Sequence, residues 1–313
     1  MTRDRELIID CDPGQDDSIA ISVCKNIDRL KINGIVTVAG NNDIDNITNN
    51  ARLLMQTLKS NIKIFKGSRG SLLNEVYSQD VHGNTGMDGM SQIPEITYPV
   101  EKDNFIDFYK ETLESKNITI VAIGPLTNIA LLIKAYPEYV KNIEEIVIMG
   151  GGLKKGNVTD YAEFNIYADP EAAKIVFESG IKTTLFSLDV TEDAYLLESE
   201  YEQLKKGNHL AKSMFELINY YHSNGKKFGY TKCSLHDVCT ILYLADSDIF
   251  ELEDRFIEIS LEGFTRGMTL SNKAKEAKGI YNARVGKTID RVRFKDAIIN
   301  NILELDNKLY GKL

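Results

Sequence analysis

The sequence predicts an α/β fold: an open, mostly parallel sheet flanked by helices, with a Rossmann-like core and a mainly helical C-terminal part. Three observations predict it. Short apolar runs alternate with stretches of helical period along most of the chain. Several runs, such as 118–123 and 146–149 within the strand expected over 143–149, are mostly apolar and rich in β-branched residues, as in strands covered on both faces. The runs stop at Gly, Pro, Asn or Asp, the residues that turn a chain out of a sheet.

Each element follows in order. Residues 7–9 are a first apolar strand that ends in acids and Gly14, and 16–24 continue as a helix. Residues 32–38 form a second strand closed by Gly40, followed by good helix formers over 43–59 and a short third strand at 62–65. The run 118–123 precedes Gly124-Pro125 and a helix that reaches Ala135. Residues 143–149 are stopped by Gly150-Gly151-Gly152. Pro170 opens a helix, because its fixed φ suits a first helical position, with Asp169 as N-cap. Residues 183–188 are a further strand, 199–244 read as mainly helical, 255–293 as short strands, and 296–305 as a closing helix. No repeat or Pro/Gly/Ser-rich linker divides the chain, so residues 1–313 are expected to form one domain.

Composition narrows the function. With 46 acidic against 37 basic residues, the net charge is −9, which repels phosphate backbones and argues against a nucleic-acid partner. No apolar run approaches the roughly 18 residues of a membrane helix. The charged start at 1–6 lacks a signal-peptide core. Cys11, Cys24, Cys233 and Cys239 are scattered in apolar surroundings, the pattern of reduced thiols in a cytoplasmic protein. A small neutral or cationic ligand or a metal ion fits this charge.

The chemistry-bearing residues fall beyond the expected strand ends, where ligands bind in open α/β sheets. Asp10, Asp12, Asp16 and Asp17 crowd around the Pro13-Gly14 turn. Like charges gathered this way need a cation, and an all-oxygen donor set points to Ca²⁺ or Mg²⁺. A helix cap with a solvated acidic loop is the plainer alternative. His236-Asp237 opens an apolar helical run, as a capping pair or as a metal ligand beside a group that faces a substrate. Cys233, His236 and Cys239 have zinc-like spacing but no fourth ligand. Asn157, Glu163 and Asn165 surround Phe164 and could read hydroxyls, or simply lead into a helix. His82 opens a glycine-rich stretch to Gly89. The segment 220–230 holds several aromatics, including Tyr230, and with Gly225 and Gly229 reads as a flap or as ordinary helix packing. Gly286-Lys287-Thr288 lacks the earlier glycine of a phosphate loop.

Together these segments resemble the inosine-uridine-preferring nucleoside hydrolase family. The resemblance rests on D-x-D-P-G-x-D-D at 10–17, then 39–41, 82–89, 124–128, 149–151, 162–172 and 236–238, in family order over most of the chain. It implies hydrolysis of the N-glycosidic bond of ribonucleosides, with one Ca²⁺ at the bottom of the pocket. Asp12, Asp17 and Asp237 would supply carboxylate ligands and Ile123 a backbone carbonyl. The ribose 2′ and 3′ hydroxyls and one water would complete the shell, with Asp12 activating that water. Asp16, Asn165 and Asp237 would hold the ribose diol, Asn157 and Glu163 the 5′-hydroxyl, and Asn41 would position groups beside the metal. His82 and His236 would lie near the base, His236 as its proton donor.

The family's purine-specific branch grips its base between tryptophans, and this chain has none. Pyrimidine-preferring or broad ribonucleoside hydrolysis is therefore expected, with Tyr230 among the residues that meet the base. The resemblance also implies a homodimer or homotetramer. A nucleoside-binding protein without activity and a Mg²⁺-dependent phosphatase are the alternatives from other functional classes.

Overall fold

The structure is a computed structural model and describes residues 4–73 and 80–311. Its strands are β1 (Arg5–Cys11), β2 (Leu30–Thr37), β3 (Ile64–Lys66), β4 (Ile118–Ala122), β5 (Ile143–Met149) and β6 (Thr183–Phe186). After these come β7 (Tyr195–Leu196), β8 (Cys233–Ser234), β9 (Phe250–Arg255), β10 (Ile257–Ile259), β11 (Thr269–Ser271) and β12 (Ala283–Ile289). The helices of the first half are α1 (Gln15–Asn26), α2 (Ile44–Thr57), α3 (Phe105–Ser115), α4 (Thr127–Ala135), α5 (Phe164–Ala168) and α6 (Pro170–Phe177). The second half adds α7 (Leu188–Thr191), α8 (Glu198–Tyr201), α9 (His209–Lys227), α10 (Val238–Ala245), α11 (Lys273–Glu276) and α12 (Arg291–Tyr310).

The main sheet runs in the order β3-β2-β1-β4-β5-β6-β12-β9. Every pairing in it is parallel except the last, β12 with β9. The first six strands have the doubly wound order of a Rossmann-like sheet, whose direction reverses between β1 and β4. Side chains alternate across each strand, and both faces are buried. Leu7 and Ile9 of β1 pack with Val121 of β4 and Val147 of β5 under α1, α2, α9, α10 and α12. Ile8 packs with Ile120, Ile146 and Ile148 under α3, α4 and α6 on the other face. Both faces are mostly apolar, which explains the apolar runs at the centre of the strands.

The expected α/β architecture is present, with local differences. Helix α3 has no counterpart in the sequence reading because only Tyr109 and Leu113 of it are buried, too few to reveal a helical period. The strand expected over 183–188 stops at Phe186, and α7 begins at Leu188. Residues 220–230 do not form a free flap: α9 continues through Gly225 to Lys227, and only Gly229 takes a left-handed φ of 87°. Gly286-Lys287-Thr288 lies within strand β12 rather than in a phosphate-binding loop. Among the described residues no helix is long and apolar enough to cross a membrane.

Candidate active site

A cavity of about 310 Å³ opens beyond the carboxyl ends of the central strands and is lined by Asp16, Asn41, Ile123, Asn165, His236 and Asp237, among others. Its floor lies at the β1/β4 switch point. Asp12 follows β1, Asp16 and Asp17 occupy the first turn of α1, Ile123 follows β4, and Asp237 immediately precedes α10. The carboxylates of Asp16, Asp17 and Asp237 offer oxygens within 4.8 Å of one another, and all three are buried. Asp12 is buried beside them; the charge of Asp17 opposes its ionisation, and its own charge opposes that of Asp237.

The local fold holds these acids in place. The Asp12 Oδ2 atom accepts a hydrogen bond from the Asn41 backbone N–H at 2.8 Å. Asp17 Oδ2 reaches back to accept from the Gly14 N–H at 2.9 Å. Asn41 Nδ2 donates to the Asp12 carbonyl at 3.0 Å and approaches Asp17 Oδ2 at 3.5 Å. The Oδ1 atoms of Asp12 and Asp17 are buried with no partner. Burial pushes Asp12, Asp16, Asp17 and Asp237 above the usual carboxylate range, Asp16 to about 6, and mutual repulsion adds to this for Asp12, Asp17 and Asp237. Buried anions without partners are costly unless a cation joins them. The donor set is all oxygen, so the residues fit a hard divalent cation.

Asp10 departs from the clustering read in the sequence. It lies within β1 on the Ile8 face, away from the cavity floor, where it accepts from Tyr109 Oη at 2.6 Å and Asn128 Nδ2 at 3.0 Å. Asp12 lies past the strand end, where the chain has already turned, so the two do not converge.

The remaining wall is polar. Asn165 Nδ2 donates to the carbonyls of Ile123 and Met149, each at 3.1 Å. Glu163 caps α5 and accepts from the Asn165 and Gly151 N–H groups at 3.0 and 2.6 Å. Asn157 Oδ1 accepts from the Phe164 N–H at 2.9 Å. His82, His236 and Tyr230 also line the cavity, with Tyr221 stacked on His82 at 5.4 Å between ring centroids. Burial pushes His82 down to about 3 and His236 to about 4, so both rings are neutral at neutral pH. Cys233 and Cys239 are buried, and neither joins the carboxylate group that could hold a metal. The cavity therefore combines a group of buried carboxylates with amide, histidine and tyrosine side chains.

The profile described as inosine-uridine preferring nucleoside hydrolase matches residues 7–296. The chain belongs to that family. It is a hydrolase that acts on the N-glycosyl bonds of ribonucleosides. Among curated relatives, the pyrimidine-specific ribonucleoside hydrolase RihA of Salmonella arizonae is 36% identical, over 97% of this chain and 99% of the relative. The protein of the same name from Shewanella sp. (strain ANA-3) is 37% identical, over 95% and 96%. Among solved structures, the purine-preferring ribonucleoside hydrolase from Gardnerella vaginalis superposes with a TM-score of 0.91 at 28% identity, covering 97% of this chain and 100% of that one.

Sequence reasoning missed three residues of this nucleoside hydrolase site. Tyr221 lines the cavity beside His82. Gln15 Oε1 lies 2.7 Å from His82 Nδ1. Thr191 Oγ1 lies 2.8 Å from His236 Nδ1. The position of Gln15 inside the acidic motif was a usable signal, whereas nothing local marks Thr191.

Close backbone approach also shapes the floor. A Cβ at Gly40 would lie 2.1 Å from Asp12 Oδ2 and 2.9 Å from Pro125 Cδ. Gly40→Ala must displace the Asp12 carboxylate, and misplacing a reacting group by about 1 Å costs roughly 100-fold in rate. Circular dichroism should show a folded variant, and uridine turnover should fall by about that factor. Turnover within a few-fold of wild type would show that Asp12 has room to move.

Proposed function

We propose that this nucleoside hydrolase is pyrimidine-preferring, with one Ca²⁺ held by Asp12, Asp17, Asp237 and the Ile123 carbonyl. The carrying observation is the pair of buried, unpartnered Oδ1 atoms on Asp12 and Asp17 beside Asp16 and Asp237. When bound, the cation would supply charge to orient the ribose diol and to lower the pKa of water. Asp12 would accept the proton of the attacking water. Asp16, Asn165 and Asp237 would hold the 2′ and 3′ hydroxyls, and Asn157 and Glu163 the 5′-hydroxyl. Asn41 would keep Asp12 and Asp17 in register through its contacts to both.

The glycosidic bond breaks with positive charge developing on the ribose, as in other glycoside cleavage. The buried carboxylates below the sugar would stabilise that charge. His236 would meet the departing base through its Nε2 atom, and His82, Tyr221 and Tyr230 would border the base. The pyrimidine preference is supported by the relatives named pyrimidine-specific and by the absence of tryptophan.

The proposal extends to context. Residues 1–313 would act as one catalytic unit, supported by the family match over 7–296. Four buried, unpaired cysteines support a cytoplasmic location, in nucleoside salvage. A homodimer or homotetramer is the expected assembly, supported by the exposed Phe264 lying edge-on to Tyr161.

A nucleoside panel tests the reading. Uridine and cytidine should be hydrolysed with higher kcat/KM than inosine or adenosine, and 2′-deoxyuridine should be a poor substrate because the diol is incomplete. Metal analysis should find calcium at about one ion per chain. Strict purine specificity, or zinc in place of calcium, would refute it.

A further inference from the structure

Two histidines border the proposed base site, and the structure gives each a different partner on Nδ1. Gln15 is buried at the start of α1, with its Oε1 2.7 Å from His82 Nδ1. Its Nε2 donates to the carbonyls of His82 and Asp88 at 3.1 and 2.9 Å. A flipped amide would set its oxygen against two carbonyl oxygens, so the orientation is determined. An amide oxygen only accepts. His82 therefore carries its proton on Nδ1, which leaves Nε2 as an acceptor.

His236 is the reverse case. Thr191 is buried at the end of α7, and its hydroxyl lies 2.8 Å from His236 Nδ1. The Ser187 carbonyl one turn back takes the Thr191 backbone N–H at 3.0 Å. Among the described residues, Nδ1 is the acceptor within reach of the hydroxyl proton. A buried hydroxyl places its proton on the acceptor it has. His236 Nδ1 therefore accepts, and its proton sits on Nε2. The pairing is rigid: β7 and β8 form a ladder, Leu235 N–H donates to the Ala194 carbonyl at 2.9 Å, and Ser234 Oγ to the Glu192 carbonyl at 3.1 Å.

We propose that Gln15 and Thr191 determine base specificity by locking His82 and His236 in opposite tautomers, so that the pocket offers the base one acceptor and one donor. This rests on the placement of the base between the two rings proposed above. A base edge with a carbonyl beside an N–H complements that pair. Uracil has such an edge, with N3–H between two carbonyls. Cytosine also meets it, with its N4 amino group beside the N3 lone pair, whereas uracil methylated at N3 has no donor on that edge and would leave the His82 acceptor unpaired. A site built to pair with an N–H rejects an analogue that lacks it, since its own polar groups are then left unpaired.

Two readouts test the proposal. Long-range ¹⁵N–¹H correlation spectra of the histidine-labelled, calcium-loaded enzyme, assigned with single His→Gln variants, report the tautomer of each ring directly. His82 should be the Nδ1–H form and His236 the Nε2–H form. Thr191→Val keeps the shape and removes the hydroxyl. It should release the His236 tautomer, lower kcat on uridine by about 10-fold with KM little changed, and shrink the preference for uridine over 3-methyluridine, which should be at least about 10-fold in wild type. Thr191→Ser should restore all three. An Nε2–H form at His82, an Nδ1–H form at His236, or equal kcat/KM for uridine and 3-methyluridine in wild type would overturn the proposal. Failure to hydrolyse any nucleoside would instead refute the proposed function, and because the tautomers are read without turnover, the two failures are distinguishable.

Discussion

Asp12→Asn yields a folded protein whose kcat on uridine is lower by at least about three orders of magnitude. The substitution is nearly isosteric, and the amide can still accept from the Asn41 backbone N–H that holds Oδ2. Stability should change little, because removing one charge from a crowded, buried acidic cluster also relieves repulsion with Asp17. What is lost is the proposed base, together with one anionic ligand of the proposed cation. Single-turnover kinetics at saturating uridine separate chemistry from binding, and the loss should appear in the chemical step. Turnover within ten-fold of wild type would remove Asp12 from the role of base.

His236→Ala separates substrates by their leaving groups. Uridine should lose about 100-fold or more in kcat, because uracil departs poorly without a hydrogen-bond or proton donor. A nitrophenyl riboside, whose aglycone is stable as the anion, should lose much less. The ring lines the cavity, and burial holds it neutral, so the donor it would present does not depend on forming an imidazolium. Equal losses on both substrates would mean that His236 acts by packing rather than by contact with the leaving base.

Much of this site is legible in the chain because its central residues are neighbours in sequence. Asp12, Asp16 and Asp17 flank one turn, and a strand followed by a turn and a helix delivers them to one place. Asp10 misleads for the same reason: it shares the motif, but strand alternation gives it to Tyr109 and Asn128 on the Ile8 face. Thr191 was not legible. It is 45 positions from His236, and the two meet only because β7 pairs with β8. The doubly wound order follows from alternating strands and helices, whereas α3 hid behind a narrow buried face of Tyr109 and Leu113. The supposed flap failed because Gly225 sits in α9 with its buried neighbours, where helix packing outweighs the local preference of glycine.

The central claim is that a cation held by the buried acids serves hydrolysis of a ribonucleoside. Chromatography of uridine incubated with the enzyme, with and without a calcium chelator, tests it most directly. The account predicts uracil and ribose in equal amounts, loss of both products with the chelator, and recovery when calcium is added back. Uridine returned intact under all conditions, or phosphate released from uridine monophosphate with no uracil formed from uridine, would contradict it.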